Sequence, residues 1–251
     1  MNIQKRWFPS LFIALIVGGM LLPPLAWAKE SLSDSWIMTP KDGKSMEFEQ
    51  AFKKHVARRA ELNDPRSWRV YVPVLGDELD RYVIRSCCFG WQGFDEYRQW
   101  SEDKDPMTDW QKNVDKLVDK YEHYFSMMDM DNSKWADELT YKYVGVTHYT
   151  VKQGHWRAME EDKKILSEAA KVQKWPYSWS WESSVGGASV LMLAVPYKSY
   201  AEMEPPETGF AKMLAMHLGS EDKAKQTLER WASHFESTHY ALYEWREDLS
   251  M

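Results

Sequence analysis

Two stretches of this chain echo one another, and that echo limits what the chain can fold into more than any other feature. Arg81–Tyr97 (RYVIRSCCFGWQGFDEY) reads as a buried strand followed by an aromatic-marked turn into a short helix. Ser189–Met203 (SVLMLAVPYKSYAEM) reads the same way. A constant shift of 106 positions sets Ile84 on Val190, Phe89 on Val195, Trp91 on Tyr197, Phe94 on Tyr200 and Glu96 on Glu202. Few letters are identical, but the chemical types agree. The chain therefore reads as two similar halves, each with a sheet that needs one face covered by its own helices and the other by something else.

The elements fall in matching order. Ser35–Thr39 is a short strand stopped by Pro40 and the Asp42-Gly43 turn. Ser45 is the expected N-cap of a helix carrying Phe48, Phe52, Val56 and Ala60 at helical spacing. Trp68–Val74 and Tyr82–Phe89 are strands rich in β-branched and aromatic residues. Phe94–Trp100 is a short helix. Thr108-Asp109-Trp110-Gln111 fits the capping box, and Trp110, Val114, Leu117, Val118, Tyr121 and Phe125 then trace one face of a longer helix. In the second half Tyr143–Val151 is a strand, and Trp156, Met159, Leu166, Ala170 and Gln173 trace a helix. Tyr177–Ser183 alternates as a half-buried strand, Gly186-Gly187 turns the chain, and Val190–Val195 is a continuous apolar strand. A helix at Phe210–Leu218 ends at Gly219. Ser220 caps a last helix bearing Ala224, Leu228, Trp231 and Phe235, and His239–Trp245 closes as a strand.

The order β-α-β-β-α, met twice, is the ferredoxin-like arrangement, in an α+β class of fold. The duplicated unit resembles the dimeric α/β barrel superfamily. It is most similar to single-chain members, such as NIPSNAP-like proteins, in which two tandem ferredoxin-like units form the barrel intramolecularly. The halves are expected at 33–135 and 141–251. The resemblance implies a cavity between the sheets, and a choice among cofactor-independent monooxygenases, haem-handling enzymes, dehydratases and regulatory ligand-binding modules. No motif selects one of these, and a fold alone does not carry a function.

Residues 1–28 read as an export signal. Lys5 and Arg6 precede an apolar run, Leu11–Leu22, and Ala26-Trp27-Ala28 is an A-x-A cleavage site, which puts the mature start at Lys29. The run is too short to span a bilayer, so no membrane span is expected after cleavage, and the location is periplasmic or secreted. Cleavage removes two positive charges and no negative ones, so the formal charge goes from −6 to −8. An acidic chain without a basic block argues against nucleic acid as a partner. The only two cysteines, Cys87 and Cys88, are adjacent. Neighbours on a strand face opposite ways, so two buried thiols are the expectation, ahead of a vicinal disulfide or a bond to another chain.

Most apparent chemical motifs fail on geometry. His234 and His239 are five apart, about 140° round a helix, so they do not make a metal pair there. Asp129-x-Asp131-x-Ser133 lacks the Gly and terminal Glu of a calcium loop. Gly186-Gly187 has no following helix and is not a phosphate loop, and no hydrolase, zincin or P-loop signature occurs. No metal site is expected, and no cofactor is identified. Polar or aromatic residues in mid-strand remain. His148 lies among apolar neighbours; it is a satisfied core histidine or, as a functional residue, a general base for proton transfer or a haem or metal ligand. Arg85, Tyr71, Trp179 and Trp181 are the candidate ligand-binding residues, with Glu182 as a possible partner for Arg85. Trp179 and Trp181 share a strand face, so Glu182 takes the other. The function expected is binding of a small aromatic or anionic ligand in a central cavity, with monooxygenase-like or haem-handling chemistry possible. The alternative is a non-catalytic interaction module using its aromatic surface against a partner protein.

Overall fold

A computed structural model describes residues 31–135 and 140–251; the expected export signal lies outside them. Eight antiparallel strands close into one barrel, and six helices lie against its outside. The strands are β1 (Leu32–Pro40), β2 (Arg69–Leu75), β3 (Tyr82–Phe89), β4 (Val118–Lys134), β5 (Tyr143–Val151), β6 (Trp179–Val185), β7 (Val190–Tyr197) and β8 (Phe235–Trp245). Round the barrel they run β1-β3-β2-β8-β5-β7-β6-β4. The first four strands are ordered β4-β1-β3-β2 and the last four β8-β5-β7-β6. The two sets join through β2 with β8 and through β4 with β6. Closure leaves no unpaired sheet edge.

The helices are α1 (Ser45–Glu61), α2 (Gln92–Lys104), α3 (Pro106–Asn113), α4 (Trp156–Val172), α5 (Phe210–Leu218) and α6 (Glu221–Ser233). On α1, Phe48, Phe52 and His55 recur on one face and are buried. They pack with Trp68, Val70, Ile84 and Trp110 into one outer core. A second outer core joins Met159 and Leu166 of α4, Met213 and Leu214 of α5 and Trp231 of α6 to Trp179, Trp181 and Leu191 of the sheet. Each such side chain, fully buried, contributes about 1.5–3 kcal/mol. A third cluster lies inside the barrel, where Tyr71, Tyr141, Val144 and Tyr243 fill part of the interior.

Several local expectations change. The long helix expected through Trp110–Phe125 stops at Asn113, and Val118–Lys134 is β4, the longest strand. Val118, Tyr121 and Phe125 happen to stand at helical spacing. The same segment pairs residue by residue with β1, from Leu32↔Met127 to Thr39↔Lys120, and those ladder bonds outweigh the local pattern. The cap of α3 is Asp105, whose side chain accepts from the Thr108 backbone N–H, with Pro106 at the first helical position. Lys44, not Ser45, caps α1. At the other end of the chain, Gly219 stops α5 in a left-handed conformation and Ser220 caps α6, as the sequence predicts.

Charged groups inside the outer cores are all partnered. Asp162, on the buried side of α4, accepts from Arg230 at 2.9 Å and bonds His234 at 3.0 Å. His234 in turn contacts His155. Asp34 on β1 bonds Arg66 at 2.6 Å and His123 at 2.8 Å. These networks satisfy groups that would otherwise be costly to bury; the first ties α4 to the end of α6, and the second ties β1 to β4 and to the segment before β2.

Candidate functional site

Alternation along each strand sends one residue set to the helices and the other to the barrel interior. The inner set encloses a cavity of about 1020 Å³. Its wall is apolar in part, with Ile37, Val83, Val146, Val190, Met192 and Ala194. Polar groups on the wall include Arg69 and Tyr71 on β2, Arg81 and Arg85 at β3, His148 on β5 and Glu182 on β6, and the carboxylates of Asp77, Glu78 and Glu122 also face the cavity.

The first polar group centres on Arg85. Its guanidinium donates to Glu182 at 2.8 Å across the barrel. Burial works against the charge of Arg85, but Glu182 and then Tyr71 outweigh it and hold its pKa above the ordinary value. The Tyr71 and Tyr141 hydroxyls lie 2.8 Å apart, and Arg69 donates to Tyr141 at 2.7 Å. Burial first, and then the neighbouring Tyr141, push the Tyr71 phenol well above its ordinary pKa, so it stays a hydrogen-bond donor. Two guanidinium groups and two phenols thus converge on one region, a donor-rich surface suited to an oxyanion or carboxylate.

The second group centres on His148. Its Nδ1 is buried and has no hydrogen-bond partner among the described residues. Burial, then the charge of Arg81 and then His239, lower its pKa to about 4, so the ring is neutral at pH 7. Arg81 bonds the Tyr243 hydroxyl at 2.9 Å and pairs with Glu78, while its Nε stays buried and unbonded among the described residues. Buried polar atoms normally find a partner, so two orphans in one cavity mark a place where a ligand's polar atoms can bond.

The structure places Tyr71, Arg85 and His148 on the cavity wall, and pairs Arg85 with Glu182. Trp179 and Trp181 are a correction. They do not line the cavity. They share a face, but it is the outer one, where the Trp181 indole N–H donates to Ser167 of α4 at 3.0 Å and its ring packs on Trp231. Glu182, with Ser180 and Ser184, holds the inner face of β6. The face of β6 was set by α4 and α6, which need large apolar partners, and a barrel wall turned the other way would have left those helices uncovered. Sequence reasoning missed Arg69, Arg81 and Tyr141. Arg69 and Arg81 share the inward parity of Tyr71 and Arg85, which was the available signal.

The cysteines are a second correction. They form a disulfide with each other. The pairing of β1 with β3 skips at this point, with Ser33 opposite Cys87 and Leu32 opposite Phe89, so Cys88 is the extra residue of a bulge. Strict alternation therefore fails, and both cysteines line the cavity. His234 lies under the helices while His239 faces the cavity beside His148, so the two do not meet. Among the described residues no three of His, Cys, Asp and Glu gather as a metal site.

No family model matches this sequence. No curated protein matches it either. Solved structures do resemble it in shape. A proposed monooxygenase from Lactobacillus acidophilus NCFM aligns over 88% of this chain and 96% of its own, with a TM-score of 0.53 at 10% identity. A mutant chlorite dismutase from Candidatus Nitrospira defluvii aligns over 88% and 95%, with a TM-score of 0.53 at 8% identity. An anthrone oxidase-like protein aligns over 88% and 93%, with a TM-score of 0.51 at 8% identity. At such identities the likeness concerns the fold alone, a closed barrel of eight antiparallel strands with helices on its outside.

Proposed function

We propose that this chain binds a small aromatic acid inside its barrel. The observation that carries the reading is the cavity wall itself, where an aliphatic surface, a half-buried guanidinium and a neutral imidazole line one cavity. The apolar body would lie against Val83, Val146 and Met192. The acid group would bond Arg85 and Arg69, with Tyr71 donating beside them. His148 is then within the same cavity to accept a proton. A pKa near 4 makes it a weak base in the empty protein, largely through burial and Arg81.

Among chemistries, a cofactor-independent reaction of the monooxygenase or anthrone-oxidase kind suits this wall better than haem. A haem iron held by an imidazole would take it from His148 or His239, the two histidines on the wall. His148 has no acceptor for its Nδ1 among the described residues to orient the ring, the charge of Arg81 bears on it, and His239 stands 3.8 Å from Asp77, beyond hydrogen-bond reach. Neither imidazole is oriented for an axial role, and no step is assigned to a haem.

We extend the proposal to organisation and compartment. The shared strand order of the first and last four strands supports two tandem ferredoxin-like units in one chain, a NIPSNAP-like arrangement. Residues 1–28 are proposed as an export signal, giving a periplasmic or secreted protein.

Thermal unfolding with matched pairs of aromatic acids and their uncharged amides tests the binding. The acids should raise the midpoint more than the amides, and Arg85→Met should erase the difference. Equal shifts for both members of every pair, or no shift at millimolar ligand, would contradict the proposal.

A further inference from the structure

We propose that Cys87, Cys88 and Met128 form a three-sulphur site for Cu(I) when the cysteines are reduced. The Met128 Sδ lies 3.2 Å from Cys87 Sγ and 3.3 Å from Cys88 Sγ. The three come from β3 and β4, which do not pair but flank β1. The β1 residue opposite Cys87 is Ser33, whose small side chain leaves room for sulphurs to meet across it. The bulge at Cys88 is what turns both cysteines to the same side, since a regular strand would send one outward. Nothing in the outer cores uses these sulphurs. All three residues line the cavity and Cys88 is exposed, so an ion and a reductant can both reach them.

Thiolate and thioether ligands are soft and select Cu(I), whereas Mg²⁺ and Ca²⁺ need oxygen ligands. Zn²⁺ is held by thiolate, imidazole or carboxylate ligands, so the Met128 thioether adds little for it and leaves only two good ligands. Cu(I) is content with two or three. A dithiol donor supplies two electrons: one of its thiolates attacks a sulphur of the Cys87–Cys88 bond, its second thiol resolves the mixed disulfide, and the donor leaves as a disulfide. Cys87 and Cys88 are left as thiols. Cu(I) then displaces both thiol protons and binds two thiolates and the Met128 thioether. The loaded site has one net negative charge.

The test is an anaerobic competition between the protein and bicinchoninate for Cu(I), using protein reduced with a dithiol and then desalted. Reduced protein should withdraw one equivalent, and the disulfide form none. Met128→Leu, which keeps the volume and both thiols, should weaken capture by about tenfold or more. A thiol titration confirms that this variant still presents two thiols. The double variant Cys87→Ser/Cys88→Ser should take no copper, and Zn²⁺ offered in the same way should be held far more weakly. Copper left on the chelator by the reduced protein would overturn the site. So would equal capture by the double variant, or Met128→Leu binding as tightly as the parent.

Discussion

Removing the carboxylate that faces Arg85 separates the pair's two roles. Glu182→Gln leaves the guanidinium in place without a counter-charge. The Glu182 side chain is 10% exposed, while Arg85 is packed by neighbours yet leaves 24% of its side chain open to the cavity. Breaking a fully buried pair costs about 3–5 kcal/mol, and access to the cavity should discount this to roughly 1–3 kcal/mol. For a chain of this size that is a fall in midpoint of roughly 2–10 °C. Ligand binding should move the other way. Glu182 competes with any incoming carboxylate for the same guanidinium, and its loss should improve the affinity of an aromatic acid by about tenfold, or roughly 1.4 kcal/mol. Arg85→Met should lower the affinity instead. Urea unfolding and titration calorimetry on the same samples read both quantities. If both variants change affinity in the same direction, or neither changes stability, Arg85 is not the anion-binding group and the pair is not a buried one.

The His148 ring has a folded pKa depressed to about 4 from an ordinary 6.5, so its contribution to stability is full above pH 6.5 and is lost as the pH falls through 4. His148→Gln should therefore flatten part of the loss of stability between pH 6.5 and 4, by about 1–3 kcal/mol, in denaturant titrations at stepped pH. In NMR the ring should not titrate between pH 5.5 and 8 in the empty protein. Trp181→Phe loses the bond to Ser167 and should cost about 1 kcal/mol or more in unfolding assays while leaving ligand affinity unchanged, because the ring faces α4. N-terminal sequencing of protein exported by its own host should begin at Lys29; a soluble folded chain that keeps Met1 would end the export reading.

The fold was readable where a segment's pattern had one interpretation. Val190–Tyr197 is apolar throughout and Trp179–Val185 alternates, and both are strands. The pattern misled at β4, where VDKYEHYF fits a helix face and a strand about equally. Only pairing with β1 and β6, both distant in sequence, decides between them. The same kind of ambiguity governs the site. Period two groups Trp179 with Trp181 and opposes them to Glu182, but it does not say which set points inward. That was decided by α4 and α6, which take the tryptophans. Arg85 and His148 stood out because a charge and an imidazole among apolar strand neighbours need a reason. Tyr141 did not, since it lies just before β5, where an aromatic residue is unremarkable. The disulfide was unreadable because it depends on a bulge, and a bulge is visible only once β1 is laid against β3.

The central claim is that the barrel interior is the ligand site. It is tested most directly by a crystal structure of the protein soaked with 4-bromobenzoate, with data collected at the bromine edge. An anomalous peak is expected inside the barrel near Val146 and Met192, with the carboxylate on Arg85. A peak on the outer surface with the interior unaltered, or binding that survives Arg85→Met unchanged, would contradict it.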